Sequence, residues 1–432
     1  MSSHQWDPPM KLETERDPDG GWYDRFVQLV DDQGHVVEEF GKNPTLNELR
    51  EAERRHSTRI NLWQQGLVCD ECGNQINERF SARQDGHLLC WDCATSSESH
   101  EQGGLRINAD PTKSVLSESK LHKKSLCDYV INVATGCRHG CKFCYVPSTP
   151  AVDNRDEMLD DRADVDDPQQ DWGDYLLYRD DLPERVQRGL EETDFQNWKT
   201  TDRGRGIVML SSGTDCYQDR RAAQITRGCV HELIEHDIPT RILTRSPNVT
   251  RDIDLFKQAN GSLTVGSSIP SFDTSLISVL EPNAPPPMAR WEALNELFKA
   301  GVPRFVSFSP TYPTMGREDI HEALSWFSAI DPEVVFHEPI NPRGINFEMC
   351  IEALEDEGLE SEADEFRKLQ RQGKWVDYAL DQIEMVRDVA THFENITIHT
   401  WPGRDLIEAT NGTQQRKFKQ MRRQISPEPF AE

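Results

Sequence analysis

From about residue 114 onward, short β-branched runs alternate with longer stretches whose apolar residues recur at helical spacing. The runs are DYVINVAT (128–135), GIVMLSS (206–212), TRILTRS (240–246), LTVGSSI (263–269), RFVSFSP (304–310), EVVFHEP (333–339) and NITIHTW (395–401). Between them lie TRGCVHELIEH, RDIDLFKQA, ARWEALNELFKAG and HEALSWFSA. Strands alternating with helices predict right-handed βαβ crossovers and a parallel sheet. Six or seven such units fit an α/β fold, a partial or complete (β/α) barrel, with its chemistry at the C-terminal strand ends. The alternative is a doubly wound open sheet, but no G-x-G-x-x-G follows any strand.

The pattern divides the chain further. Residues 1–60 read as a small hairpin and helix appendage: apolar positions alternate on both sides of Asp32-Gln33-Gly34, and a capping-box pattern from Thr45 to Glu48 opens a helix through Arg55. A cysteine-rich module covers 61–97, and a Ser- and Gly-rich linker 98–113. The barrel runs over 114–405 and a tail over 406–432. Inside the barrel, residues 151–200 break the rhythm with 16 Asp+Glu against 6 Lys+Arg. They read as an acidic, solvated insertion at the barrel mouth, with a lid as the alternative. The tail carries the basic cluster Arg416, Lys417, Lys419, Arg422 and Arg423, read as a solvated helix end.

The 432 residues carry 75 Asp+Glu against 48 Lys+Arg, a net charge of −27. Arg outnumbers Lys 34 to 14, and the acidic residues are spread along the whole length. This favours a halophilic, densely hydrated carboxylate surface over a specific acidic function, so net charge alone does not exclude a polyanionic ligand. No run approaches a membrane-spanning length and the N-terminus lacks a signal-peptide layout, so the expected location is cytoplasmic, with no membrane partner.

There are 11 cysteines, and seven fall into two clusters. An odd number in tight groups points to metal ligation in a reducing compartment. Cys69, Cys72, Cys90 and Cys93 form two C-x-x-C knuckles separated by 17 residues, the spacing of a four-thiolate zinc site. Such a site leaves no position for substrate and is structural by default; a rubredoxin-like iron site is the minority alternative.

The second cluster, Cys137, Cys141 and Cys144, follows directly on the first barrel strand in Gly136-Cys137-Arg138-His139-Gly140-Cys141-Lys142-Phe143-Cys144-Tyr145. Three thiolates at C-x3-C-x2-C can grip three irons of a [4Fe-4S] cube and leave the fourth for a second molecule. A three-Cys zinc site completed by His139 is the competing reading.

With these residues in view, the chain resembles the radical SAM superfamily, and over 128 to about 345 its spore photoproduct lyase-like branch. The residues carrying the likeness are SSGTDCYQ (211–218), Leu243-Thr244-Arg245-Ser246, VGSSIPSFD, Glu281-Pro282-Asn283-Ala284-Pro285 with Arg290, and Glu338-Pro339-Ile340-Asn341. The resemblance implies reductive cleavage of S-adenosylmethionine and use of the 5′-deoxyadenosyl radical on a substrate it does not fix, with a nucleic-acid base as the leading class and a protein or small molecule as the alternative. It also implies an electron donor such as ferredoxin or flavodoxin.

By the same resemblance, Thr214 and Asp215 are expected near the methionyl part of the cofactor. Arg245 is expected on its carboxylate, where relatives carry Lys, and Ser267 or Ser268 at hydrogen-bonding distance. Spore photoproduct lyase itself has C-T-S-D at the strand end that here reads Ser212-Gly213-Thr214-Asp215, and its Cys returns a hydrogen atom. A serine O–H is too strong a bond to do so, which argues against thymine-dimer lyase activity. Cys216 and Tyr217 are then the candidates for hydrogen-atom chemistry. The alternative from another class is a non-catalytic iron–sulfur binding or electron-transfer module.

Overall fold

The computed structural model describes residues 105–191, 200–201, 204–371, 374–400 and 402–424, together with 11–16, 25–30, 35–42, 52, 55, 81–82 and 88–89. The chain divides into two compact units, Met1–Gly104 and Leu105–Glu432.

In the first unit, strands Lys11–Arg16, Arg25–Val30 and Val36–Lys42 form an antiparallel sheet with Arg25–Val30 in the centre. The second and third strands form the hairpin the alternation predicts. The first reads KLETER and is too charged to announce itself. The helix expected over 45–55, apart from residues 52 and 55, and Cys69, Cys72, Cys90 and Cys93 lie outside the described residues.

The second unit is built on one eight-stranded sheet. Its strands are β1 (Ser117–Glu118), β2 (Tyr129–Ile131), β3 (Val208–Leu210), β4 (Thr240–Thr244), β5 (Leu263–Ser268), β6 (Arg304–Thr311), β7 (Val335–Pro339) and β8 (Ile398–Thr400). They pair in chain order, β2 to β8 all parallel and β1 antiparallel at the edge. Each of the seven anticipated runs therefore contains a strand of this sheet. The first run splits: its last residues, Ala134–Thr135, leave the barrel for a second sheet.

Helices cover the outside. Arg220–Glu235 shows why they form: the Asp219 side chain caps it by accepting from the Ala222 amide at 2.9 Å. Ala222, Ile225, Thr226, Cys229, Val230 and Leu233 recur at three- and four-residue steps as its buried face. Burying Val230 and Leu233 stabilises the layer by roughly 1.5–3 kcal/mol each, and Leu233→Ala, which leaves a hole there, would cost about 2–5 kcal/mol.

Contacts other than a ladder span the interval between β8 and β1. The His399 ring lies 2.8 Å from the Lys124 carbonyl, and Arg241 Nη1 donates to the Ser125 carbonyl at 3.0 Å. The Arg241 guanidinium also sits 5.5 Å from the ring centres of both Phe305 and Phe336. This cation, aromatic and imidazole layer fills the lower interior, so open volume remains at the C-terminal strand ends.

The acidic segment departs from expectation. Its strand Tyr175–Tyr178, every residue buried, is the centre of a three-stranded sheet between Arg106–Ala109 and Ala134–Thr135. Leu159, Val165, Trp172, Tyr175 and Leu177 pack with Cys137 in one apolar cluster. Over the described residues 151–191, acidic residues occupy the outer face and the apolar ones between them cover the cysteine loop; this stretch is a packed cover rather than a solvated excursion. No helix among the described residues is long and apolar enough to cross a membrane.

Candidate active site

The loop from Gly136 to Tyr145 begins where the chain leaves β2 and passes through Ala134–Thr135. Gly136 has φ +91°, and a Cβ there would run into the Tyr175 carbonyl, so only glycine lets the covering strand lie this close. Gly140, at φ +57°, backs onto Gly173, whose own Cβ would stand 2.9 Å from the Gly140 Cα. The loop is tied below as well: the Lys142 amide donates to Leu280 carbonyl at 2.9 Å.

Above the barrel floor lies a cavity of about 240 Å³. Cys137, Cys141 and Cys144 line it together, beside Phe143 and His139. Burial pushes all three thiols up, Cys144 to about 11, while the Val146 amide on Cys144 and the His139 amide on Cys137 pull the other way. A buried thiolate set of this kind calls for soft positive charge to replace its protons. Among the described residues no three His, Cys, Asp or Glu side chains come together tightly enough to hold a single metal ion. His139 Nδ1 lies 3.6 Å from Asp215 Oδ2, and its buried Nε2 has no hydrogen bond. Burial lowers its pKa to about 4, with Asp215 opposing. Three thiols of one loop lining a single cavity are a donor set that fits a cluster held at three corners.

The end of β3 supplies the second wall. Thr214 Oγ1 donates to the Gly136 carbonyl at 2.6 Å and accepts from Gln218 Nε2 at 3.0 Å; Gln218 Oε1 accepts the Arg138 amide at 2.7 Å. Asp215 Oδ1 accepts from the Tyr217 amide at 2.9 Å and Thr244 Oγ1 at 2.6 Å, and Oδ2 from the Arg245 amide at 2.7 Å. Thr214 and Asp215 line the cavity, but their polar atoms are spent on joining the cysteine loop to the ends of β3 and β4. Gln218, completely buried, is a loop-holding residue that the sequence reading quoted within SSGTDCYQ without a role.

Arg245 and Ser268 also line the cavity, whereas Ser267 turns away and donates to the Thr244 carbonyl at 2.8 Å. The two-residue alternation of β5 makes one of the adjacent serines inward and the other structural. Cys216 and Tyr217 are corrections to the sequence reading. Both are fully buried in the main core and absent from the cavity wall; Tyr217 donates to Asp252 Oδ2 at 2.9 Å. The chain turns after Asp215, carrying the next two side chains behind the sheet. The tyrosine that does line the cavity is Tyr145.

The far wall comes from β6, β7 and the segment before β2: Ser307, Ser309, Glu338, Asn341 and Lys124. Lys124 and Glu338 form an ion pair, their side chains 28% and 38% exposed. At the mouth, the Arg343 guanidinium lies 5.3 Å from the ring centre of Tyr145, which is 40% exposed.

A family profile for the Radical SAM superfamily matches residues 131–327. An uncharacterised protein of Acidianus two-tailed virus, ORF301, is 30% identical over 282 residues, 61% of this chain and 88% of the viral one. The uncharacterised protein MJ0683 of Methanocaldococcus jannaschii is 27% identical over 188 residues, 43% of this chain and 61% of that one. Among solved structures, a spore photoproduct lyase mutant superposes with a TM-score of 0.49 at 14% identity, over 82% of this chain and 93% of that one. Streptococcus suis SuiB bound to S-adenosylmethionine gives a TM-score of 0.41 at 16% identity, over 66% of this chain and 53% of that one.

Proposed function

Because the chain belongs to the radical SAM superfamily, we propose that its cavity holds a [4Fe-4S] cluster on Cys137, Cys141 and Cys144 and generates a radical from S-adenosylmethionine. The observation that carries this reading is the meeting of those three thiols, Cys137 and Cys141 buried and Cys144 partly so, with Arg245 in one cavity at the C-terminal strand ends. When bound, cluster and S-adenosylmethionine supply a 5′-deoxyadenosyl radical for hydrogen abstraction. The residues of the chain do the rest. Arg245 offers a cation to the cofactor carboxylate. Ser268 stands on the same wall, Asp215 and Thr214 fix the strand ends, and the Trp172 and Tyr175 cover excludes water from the thiols.

The substrate, in this reading, is a nucleic-acid base entering along the far wall. Tyr145 with Arg343 over its ring is the kind of aromatic and cationic step on which bases stack. Ser307, Ser309, Asn341 and Glu338 offer donors and acceptors to its edge.

Anaerobic reconstitution tests the core of the proposal. The loaded chain should bind about four irons through its three thiolates and cleave S-adenosylmethionine to 5′-deoxyadenosine under dithionite, and Cys141→Ala should do neither. A colourless chain that leaves the cofactor intact would sink it. For the substrate class, a single-stranded oligonucleotide should speed cleavage in wild type and not in Tyr145→Ala. The assay belongs in about 1 M salt, where a Debye length of roughly 3 Å screens the acidic surface.

A further inference from the structure

We propose that Arg245 and Glu281 form a charge pair that sets the reduction potential of the cluster, with Glu281 a positioning residue that works through Arg245. The inference rests on the radical SAM reading above.

Glu281 ends the helix Thr274–Leu280 and is completely enclosed, as is Arg290. Glu281 Oε2 receives Arg290 Nη2, and Arg245 Nε lies 3.4 Å from the same oxygen. Arg290 is fully engaged, its Nε donating to the Pro285 carbonyl at 2.7 Å and its Nη1 to the Ser268 carbonyl at 2.9 Å. Arg245 is tied much less: its Nε is buried without a hydrogen bond, and the second oxygen of Glu281 is unbonded too. Its guanidinium rests 5.4 Å from the ring centre of Phe143, the residue just before Cys144. Arg245 lines the same cavity as Cys137, Cys141 and Cys144.

Two cations share one carboxylate, so the group carries one net positive charge beside the cysteine loop. Reduction adds one electron, taken from an external low-potential reductant, to a cluster on three thiolates. In a poorly screened interior, a neighbouring positive charge favours that more negative state. A purely structural ion pair would show no ordered response of potential to charge. A tuning pair must follow the net charge of the trio: +1 as built, 0 without Arg245, +2 without the Glu281 charge, and +1 again without both.

The test is an EPR-monitored redox titration of the reconstituted full chain, without S-adenosylmethionine. Arg245→Gln should shift the midpoint down, Glu281→Gln should shift it up, and the double variant should return close to wild type. Arg245→Lys keeps the charge and should leave the midpoint near wild type. Equal shifts in Arg245→Gln and Arg245→Lys, or the same direction in Arg245→Gln and Glu281→Gln, would overturn the proposal. If Glu281→Gln does not load, the Gln and Lys variants of Arg245 decide alone. Iron analysis precedes the titration: a wild-type chain that binds no iron refutes the radical SAM reading itself, whereas loaded chains with unordered potentials refute only the tuning.

Discussion

The two walls of the cavity are built differently. On the cysteine side, backbone and side chains are locked from several directions: Gln218 and Thr214 from β3, Leu280 from a helix, Gly173 and Tyr175 from the cover. On the far side, Lys124 and Glu338 meet in a part-exposed ion pair at the interval between the sheet edges, where contacts stand in for a ladder. An exposed pair of this sort is worth about 0–1 kcal/mol. The cysteine side is over-determined, and the far side is held by contacts cheap to rearrange. That division predicts a steep gradient of sensitivity to substitution from one wall to the other.

The largest effect should come from Gly136→Ala. It forces a side chain into a left-handed conformation and into the Tyr175 carbonyl, costing roughly 1–3 kcal/mol for the backbone conformation before the collision is added. We expect iron content after reconstitution to fall at least about tenfold, the equivalent of 1.4 kcal/mol. A variant that loads iron normally would mean the cover does not shape the loop.

Next comes Asp110, whose side chain is fully enclosed and ties the cover to the loop. Its oxygens take Arg155 Nη2 at 2.7 Å, Arg179 Nε at 3.0 Å and Thr135 Oγ1 at 2.7 Å. Asp110→Ala leaves two mostly buried guanidiniums without their carboxylate and should cost about 3 kcal/mol, read as a lower denaturant midpoint together with faster loss of the cluster in air. Burial opposes ionisation of Asp110, but Arg155, Arg179 and the hydrogen bonds outweigh it and hold the carboxyl below the usual range. Its contribution is therefore complete above the ordinary carboxylate pKa and lost only as pH falls far below it. Acid should release the cover only under strongly acidic conditions.

His337 sits on β7 in the cavity lining, its ring centre 5.7 Å from that of Phe308 on the neighbouring β6. Its Nε2 lies 3.1 Å from Thr311 Oγ1, its Nδ1 has no hydrogen bond, and burial pushes its pKa down to about 3. With a folded value below the ordinary 6.5, the unfolded chain takes the proton first as pH falls. Stability is then greatest above 6.5 and declines toward 3, by about 1.4 kcal/mol per pH unit within that window. Denaturation at pH 6.5 and 4.5 should show this slope in wild type and a shallower one in His337→Phe. Equal slopes would remove His337 from the account.

These sensitivities also explain what could be read from the sequence. The seven runs announced their strands because β-branched residues filled them, and C-x3-C-x2-C announced the loop because its ligands are adjacent in sequence. The strand Tyr175–Tyr178 was hidden: four buried residues in an acidic segment look like an interruption, and their partners at 106–109 and 134–135 are far away in the chain. Asp110 was camouflaged differently. Among 75 acidic residues, a buried carboxylate has no compositional signature, and only its guanidinium partners, brought by the fold, reveal it. Inward and outward neighbours such as Ser268 and Ser267 differ by a register that only pairing fixes.

The smallest structural effect, and the one that best isolates the far wall, belongs to Glu338→Gln. Because the Lys124–Glu338 pair is part exposed, its loss should change stability by less than about 1 kcal/mol. Iron content and substrate-free cleavage of S-adenosylmethionine should be unchanged. What should change is coupling: the acceleration of 5′-deoxyadenosine formation by oligonucleotide should drop about tenfold, the equivalent of 1.4 kcal/mol of lost substrate-specific interaction. Lys124→Met, which breaks the same pair from the other edge, should reproduce the loss only if the pair acts as a unit. If Glu338→Gln instead lowers substrate-free cleavage, the two walls are coupled through the cavity and the separation drawn between them fails.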